Sequence, residues 1–183
     1  MLNGVSDRLH IIDGNTDDLW APVQEKKFDY IISNPPFMPT PPDFAHYFHS
    51  GGGGILGLDF LEKILKQLDN HLAPGGWGQI VTAAPGNSEL PTTLLGMTET
   101  YLSGHTEVII DPLPLPFTVL THHIPDSSSM AQMKEIDQQL QEQGITHQYL
   151  CVIHYTKSNK RITTKFSEPH PGWDMPLADA NIM

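Results

Sequence analysis

A polar amide followed by two prolines and an aromatic ring is the pattern in this sequence best suited to chemistry. Asn34, Pro35, Pro36 and Phe37 directly follow the apolar, β-branched run 28–33 (FDYIIS). Prolines lack the backbone N–H that a central strand needs, so a strand must stop here, and the residue before a proline is held in extended geometry. The pattern predicts a rigid amide and a ring at the carboxyl end of a buried strand, where open α/β sheets bind ligands.

The hydrophobic periodicity around this segment alternates between strand and helix patterns. Strands are predicted over 8–13, 30–33, 78–83, 106–111 and 148–156, and helices over 57–71, 90–102 and from the serines at 127–129 to Gly144; residues 161–166 are expected to pair back antiparallel. Such alternation is typical of an α/β fold with a mainly parallel sheet, closed by antiparallel strands at the C-terminal end. We expect one domain over 1–183, with an insertion over 112–147 and an irregular tail over 167–183.

Composition narrows the classes of partner. The chain has 183 residues and a formal net charge of −11, which argues against a broad nucleic-acid surface, and no DNA partner is expected. Four basic residues lie within 157–165, and they favour a solvated hairpin over a local contact with an anion or RNA. The single cysteine, Cys151, lies in an apolar run and excludes an internal disulfide. With no long apolar stretch and no signal pattern, we expect a cytoplasmic protein without a membrane partner.

Two further features leave alternatives open. The long loop over 38–54 is rich in proline, aromatic residues and glycine, so it suits either a lid over a substrate or a cover for the sheet edge. Paired histidines at 46 and 49 and at 122 and 123 invite a metal site. No cysteine accompanies them and the first pair is predicted to lie in a loop, so no metal site is predicted.

The Asn-Pro-Pro-Phe segment resembles the catalytic motif of class I S-adenosylmethionine-dependent methyltransferases that methylate a nitrogen on a planar group. This subgroup includes the release-factor glutamine methyltransferases and small-domain ribosomal RNA methyltransferases. The run 57–60 (GLDF), the exit turn 72–76 (LAPGG), the start 2–5 (LNGV) and the turn 13–15 (DGN) resemble the same enzymes in order and spacing. The resemblance covers residues 1 to 110 and implies a Rossmann-like three-layer sandwich, with the chain lacking the family's N-terminal part.

The resemblance implies roles for the four residues of the motif. Asn34 would accept a hydrogen bond from the target NH, and the backbone carbonyl of Pro35 would accept another. Pro36 would fix the backbone, and Phe37 would pack on the flat amide or base. Positioning of this kind supplies most of the rate gain without a strong general base. The implied reaction is methyl transfer from S-adenosylmethionine to a planar nitrogen of a protein, an RNA or a small molecule.

The resemblance also implies a cofactor site and shows where the chain departs from the family. Asp13, Gly14, Asn15, Asp17 and Asp18 would form the loop that meets the adenine, and which acidic or amide side chain does so stays open. The family's glycine-rich turn and the strand before it are not found, and the four glycines over 51–54 are no substitute because they follow a loop. Three explanations stay open: the gene start is misplaced and the N-terminal half is encoded upstream of it; a separate subunit or a second copy of the chain supplies that half; or the chain is a non-catalytic binding or assembly subunit.

Overall fold

The computed structural model describes residues 4, 7–14, 17–40, 54–117 and 127–170. Within these residues six strands form one sheet, and two helices pack on one of its faces. The α/β fold expected from the alternating sequence pattern is confirmed.

The first unit is a strand, a helix and a parallel strand. Strand β1 (Phe28–Ser33) leads to helix α1 (Asp59–His71), and β2 (Leu72–Gly86) then pairs with β1 in parallel. Helix α1 forms because its apolar residues recur three and four positions apart on one face. That face is fully buried against the sheet, with its core side chains at Leu61, Ile64, Leu65 and Leu68.

The second unit repeats this arrangement beside the first. Helix α2 (Thr92–Tyr101) follows β2 and leads to strand β3 (His105–Ile110). A short strand β4 (Leu115–Pro116) and helix α3 (Ser127–Glu142) then precede the last two strands, β5 (His147–Thr156) and β6 (Arg161–Phe166). Apolar side chains of α1 and α2 share one core cluster with those of the sheet, so both helices cover the same face.

The order of the strands across the sheet is β1-β2-β5-β3-β6, and β4 pairs with β5. Strand β5 is antiparallel to β2, β3 and β4, whereas β1 is parallel to β2 and β6 is parallel to β3. Among the described strands, β5 alone therefore runs against the others. The carboxyl ends of β1, β2 and β3 therefore all lie along the same border of the sheet, the one formed by strand ends.

Two details predicted from the sequence are wrong. Residues 8–13 form no strand: they are exposed coil, and the side chain of Ile11 is 86% exposed. A strand needs a neighbour to take its backbone hydrogen bonds, and no described strand lies beside this segment. Strand β6 does not fold back onto β5, because β3 already occupies that side of β5; β6 pairs with the far side of β3.

The exit turn predicted at Pro74-Gly75-Gly76 is part of β2. The register between β1 and β2 shifts between Phe28 and Tyr30: Phe28 pairs with Leu72, whereas Tyr30 pairs with Trp77. The extra residues of β2 form an irregularity in the ladder, and Gly75 takes a positive φ of 79° within it. The helix therefore ends as predicted, but the chain continues along the sheet instead of leaving it.

Several expectations fall on residues outside the described ranges. They concern most of the loop over 38–54, both histidine pairs, most of an additional extended segment that the sequence predicts over 117–124, and most of the tail over 167–183. In the described part of the chain, no group of acidic, histidine or cysteine side chains could hold a metal ion. None of the described helices has the length and apolarity needed to cross a membrane.

Candidate acceptor site at the carboxyl end of the first strand

The acceptor loop, defined here as residues 34–37, begins where β1 ends. Asn34 is exposed, Pro35 is buried, and Pro36 and Phe37 are half-buried. No other described residue hydrogen-bonds to the Asn34 side chain. The sequence thus places a fixed backbone beneath an amide that is accessible from solvent, as predicted for the end of this strand.

The acceptor loop is held against the turn that leads into α1. Gly57 has a φ of +76°, and a Cβ atom placed on it would lie 2.1 Å from the backbone oxygen of Phe37. The backbone N–H of Thr40 donates to the oxygen of Gly54 over 2.8 Å, and the hydroxyl of Thr40 donates to the oxygen of Met38 over 3.0 Å. Only glycine permits both the positive φ and the close approach at position 57. The turn over 54–57 therefore fixes where the acceptor loop lies.

A cleft lies on the other side of this turn, between the N-terminal ends of α1 and α2. Its volume is about 560 Å³ and its walls are mostly apolar, with Asp59 and Glu62 as its acidic residues. Burial and then the neighbouring Glu62 raise the pKa of the Asp59 carboxyl above its ordinary value. Hydrogen bonds from Tyr101 and Lys66 lower the pKa of Glu62 instead. Asp59 belongs to the run 57–60 (GLDF), but no pattern in the sequence indicates this cleft.

The two carboxylates differ because of their partners. The Tyr101 hydroxyl donates to Glu62 over 2.5 Å, and the Lys66 ammonium lies 3.0 Å from the same carboxylate. Asp59 approaches Gly54 so closely that a Cβ atom there would lie 2.4 Å from its carboxylate oxygen. Glu62 thus joins the two helices, whereas Asp59 faces the turn that supports the acceptor loop.

The residues predicted to meet the cofactor lie in a different environment. Asp13, Gly14 and Asp17 are exposed, Asp18 is half-buried, and Asn15 falls outside the described residues. Asp18 accepts hydrogen bonds from the backbone N–H groups of residues 20 and 21, over 3.0 and 3.1 Å. An oxygen used in this way shapes a local turn.

The segment after this turn is attached to α1. The indole N–H of Trp20 donates to the backbone oxygen of Lys63 over 3.2 Å, and its ring stacks on His71 with 4.2 Å between centroids. Of the described residues, Asp13, Gly14 and Asp18 make no hydrogen bond to the acceptor loop. The structure brings together the acceptor loop and the turn over 54–57.

Cys151 behaves as its apolar sequence context predicted. It is buried beneath the helices, and burial raises the pKa of its thiol well above the ordinary range. A thiol in this state is a poor nucleophile. The sulfur therefore takes no part in the candidate site.

Comparison with known proteins supports the resemblance seen in the motif. The chain is 35% identical over 98 residues to the release factor glutamine methyltransferase of Geobacter sulfurreducens, a match that covers 49% of this chain and 32% of that protein. It is 33% identical over 81 residues to the ribosomal protein uL3 glutamine methyltransferase of Bradyrhizobium diazoefficiens, covering 40% of this chain and 24% of the relative. The release factor glutamine methyltransferase of Aquifex aeolicus is 35% identical over 83 residues, which is 42% of this chain and 28% of the relative.

These matches are partial. The chain spans between about a quarter and a third of the length of the curated relatives it matches. No family model matches the chain. A solved structure of a candidate sarcosine dimethylglycine methyltransferase from Galdieria sulphuraria overlays with a TM-score of 0.36 and 15% identity, covering 86% of this chain and 63% of that one. The strand order of the sheet establishes the α/β fold by itself.

Proposed function

We propose that this chain supplies the methyl-acceptor side of an S-adenosylmethionine-dependent methyltransferase that acts on a planar nitrogen. The observation that carries the proposal is the exposed Asn34 amide, held at the end of β1 on a backbone that Gly57 fixes. The names of the relatives, all glutamine methyltransferases, favour the side-chain amide of a protein glutamine as the acceptor. A nucleobase amine and a small-molecule amide are the other acceptors with the same geometry.

The proposed chemistry follows from what the acceptor loop offers. An amide nitrogen is planar, so two acceptors in one plane can receive its two N–H bonds and leave its face open. The Asn34 side-chain oxygen and the Pro35 backbone oxygen are those acceptors, and the Phe37 ring packs beside the acceptor group. As the nitrogen takes the methyl group it becomes positively charged, and both oxygens stabilise that charge. The extra proton then leaves to solvent, so no strong base is required.

The described residues fit the acceptor but do not form a cradle for the methyl donor. Asp13 and Gly14 are exposed coil and Asp18 is engaged in its own turn. Contact of Asp13, Gly14, Asn15, Asp17 and Asp18 with the cofactor stays a prediction. We propose that the larger part of the donor site lies in a polypeptide segment outside the matched residues, because the relatives extend far beyond them.

The proposal is tested in an enzyme complemented with that segment. Asn34→Ala is expected to lower kcat by about 100-fold or more, because it removes an acceptor that acts on developing charge. Methyl transfer is measured with radiolabelled S-adenosylmethionine and a bacterial release factor as acceptor. Asn70→Ala, which truncates an exposed amide at the far end of α1, is the matched control and should retain wild-type activity.

Full activity in Asn34→Ala would contradict the assigned role of the amide. Absence of methyl transfer in the complemented wild type, with release factor, ribosomal protein uL3 and RNA each tried as acceptor, would favour the alternative. In that case the chain is a binding or assembly subunit built on the same fold.

A further inference from the structure

The cleft between the N-terminal ends of α1 and α2 has no role in the chemistry proposed above. Residues 54–62 of the turn and α1 form one wall, and Thr93 and Met97 of α2 form the other, so we call it the helix-end cleft. Leu58 is buried, Leu56 and Met97 are half-buried, and Ile55 is exposed. A volume of about 560 Å³ lies in the range of sites that enclose a ligand, and these aliphatic walls suit an apolar one.

The walls of the helix-end cleft are held in place without a ligand. The backbone N–H of Gly57 donates to the oxygen of Gly54 over 3.2 Å and closes the turn at one side. The Tyr101 hydroxyl of α2 donates to Glu62 of α1 and ties the two helices together. An incoming group would therefore meet a preformed surface, which lowers the entropy lost on binding.

One carboxylate of the helix-end cleft has no cation paired with it among the described residues. Asp59 is exposed, and it forms none of the ion pairs that the described side chains make. The charge of Glu62, by contrast, is met by the Lys66 ammonium at 3.0 Å. The Lys63 ammonium lies over the Phe60 ring, 5.3 Å from its centroid, and Lys63 is not part of the cleft wall.

The surroundings of Asp59 disfavour its negative charge. Partial burial of the carboxyl and the nearby charge of Glu62 raise the pKa of Asp59, and Lys63 opposes them as the weakest of the three influences. A cation in the cleft would act against both of the larger effects. The helix-end cleft therefore suits a group with an apolar body and a cationic end. Lysine and arginine side chains have this form, since their aliphatic stems lie on apolar surface while the charged end stays polar.

The helix-end cleft and the acceptor loop lie on two sides of one short turn. The backbone oxygen of Phe37 lies 2.1 Å from where a Cβ atom of Gly57 would be. The chain from Asn34 to Phe37 spans at most about 11 Å, and that from Gly57 to Asp59 at most about 7 Å. An extended peptide of about six residues is long enough to reach from the acceptor amide to the carboxylate.

We propose that the helix-end cleft binds a lysine or arginine side chain of the acceptor polypeptide, within about six residues of the nitrogen that is methylated. The aliphatic stem lies against Leu56, Leu58 and Met97, and the cation pairs with Asp59. The net charge of −11 favours the encounter with a basic segment. The link to the methylated nitrogen rests on the proposed function, whereas binding of a basic side chain in the cleft does not.

The test titrates the 183-residue chain, with isotope-labelled methionine methyl groups, with a blocked serine-alanine peptide. The peptide carries one glutamine and, four positions later, one lysine. We expect the methyl resonance of Met97, assigned with Met97→Leu, to shift and saturate. Replacing the lysine by norleucine, which keeps the stem and removes the ammonium, should weaken binding at least threefold, and added salt should weaken binding of the lysine peptide alone.

Asp59→Asn should weaken binding of the lysine peptide at least threefold and leave the norleucine peptide unaffected. Glu99→Gln is the matched control, because it removes the same charge from an exposed position on α2 that is not part of the cleft wall. It should bind both peptides as the wild type does. All titrations are made well below the unfolding midpoints of the variants.

Three results would overturn the inference. They are a Met97 resonance that the lysine peptide does not shift, equal binding of the lysine and norleucine peptides, and unchanged binding in Asp59→Asn. The last result would mean that Asp59 only complements the dipole at the start of α1, a role open to any acidic residue in a first turn.

Methyl transfer to the same peptides separates this inference from the proposed function. In the complemented enzyme, kcat/KM should be at least threefold higher for the lysine peptide than for the norleucine peptide. Binding of lysine at the cleft without methyl transfer to any acceptor would contradict the proposed function and leave the cleft in place. Equal methyl transfer to both peptides would do the reverse.

Discussion

At the scale of single residues, the position of the exposed Asn34 amide depends on a glycine that has no side chain. Gly57 lets the backbone oxygen of Phe37 lie where a Cβ atom would be, at 2.1 Å. Any larger residue would have to move the acceptor loop, the turn or both. The amide at Asn34 is thus positioned by a contact 23 residues further along the chain.

Gly57→Ala should destabilise the chain and also disturb the acceptor loop. The positive φ alone costs about 1–3 kcal/mol in a residue with a Cβ atom, and the contact with Phe37 adds to it. Gly96→Ala is the matched control, since Gly96 lies within α2 and a Cβ there meets nothing within 4 Å. It should stabilise the chain by about 0.5–1 kcal/mol. Urea unfolding of both variants measures the difference, and equal effects of the same sign would contradict the account.

At the scale of elements, one tyrosine joins the end of α1 to the start of β3. The Tyr155 hydroxyl of β5 donates to the Asp69 carboxylate of α1 and accepts from the backbone N–H of Gly104 over 3.0 Å. Ser103 donates to the same carboxylate over 2.5 Å through its hydroxyl. The side chain of Tyr155 is 1% exposed, so its hydroxyl has no water to replace these partners.

Tyr155→Phe should therefore cost about 1–3 kcal/mol of unfolding free energy, because it leaves the Gly104 N–H and one Asp69 oxygen without their partner. Tyr30→Phe removes a hydroxyl whose single described hydrogen bond is exposed, and it should cost less than about 0.5 kcal/mol. Denaturant unfolding of the two variants provides the comparison. Similar losses in both would show that the buried network contributes no more than an exposed contact.

The same hydroxyl gives a dependence on alkaline pH. Burial, together with the hydrogen bond to Asp69, raises the pKa of Tyr155 from its ordinary 10.0 to about 12. A group with a raised pKa contributes stability that is fully present below pH 10 and is lost as the pH rises through about 12. Across this window the unfolding free energy should fall with pH less steeply in Tyr155→Phe than in the wild type. The difference in slope should correspond to about one bound proton. Parallel curves for the two proteins would contradict the assignment.

The elements were predictable from sequence where the signal is local. The apolar spacing of α1 and the β-branched run of β1 predicted the bounds of both elements to within two residues. The prolines predicted the residue at which β1 ends. The apolar residues over 9–12 gave the same signal but form no strand, because a strand also needs a neighbour that local sequence does not contain. The pairing of β6 with β3 and the contact of Gly57 with Phe37 likewise depend on which segments meet in the folded chain.

At the scale of the whole molecule, the described residues form the proposed acceptor side of a site and no preformed donor side. The acceptor loop lies at one end of the sheet, and within the described residues β1, the strand before it, pairs on one side only. The exposed coil over 8–14 offers no fixed set of groups for a nucleoside. Tight binding of the cofactor should therefore require groups outside this coil.

The isolated chain should bind S-adenosylmethionine with a Kd no tighter than about 1 mM, near the limit of what a few unassisted contacts provide. Titration calorimetry of the 183-residue chain measures this. Tight one-to-one binding would contradict the proposal that the described residues form no donor site.

The position of β5 has a consequence for how the chain is made. β5 lies between β2 and β3, yet it is synthesised after both of them, and its last residue is Thr156. At roughly 5–20 residues per second, the ribosome needs about 2–9 s to pass from the end of β3 to the end of β5. Throughout that interval, the edges of β2 and β3 that will pair with β5 have no partner strand. Nascent chains stalled before residue 147 should accordingly be bound by chaperones, and release of that binding should coincide with the emergence of β5 from the exit tunnel.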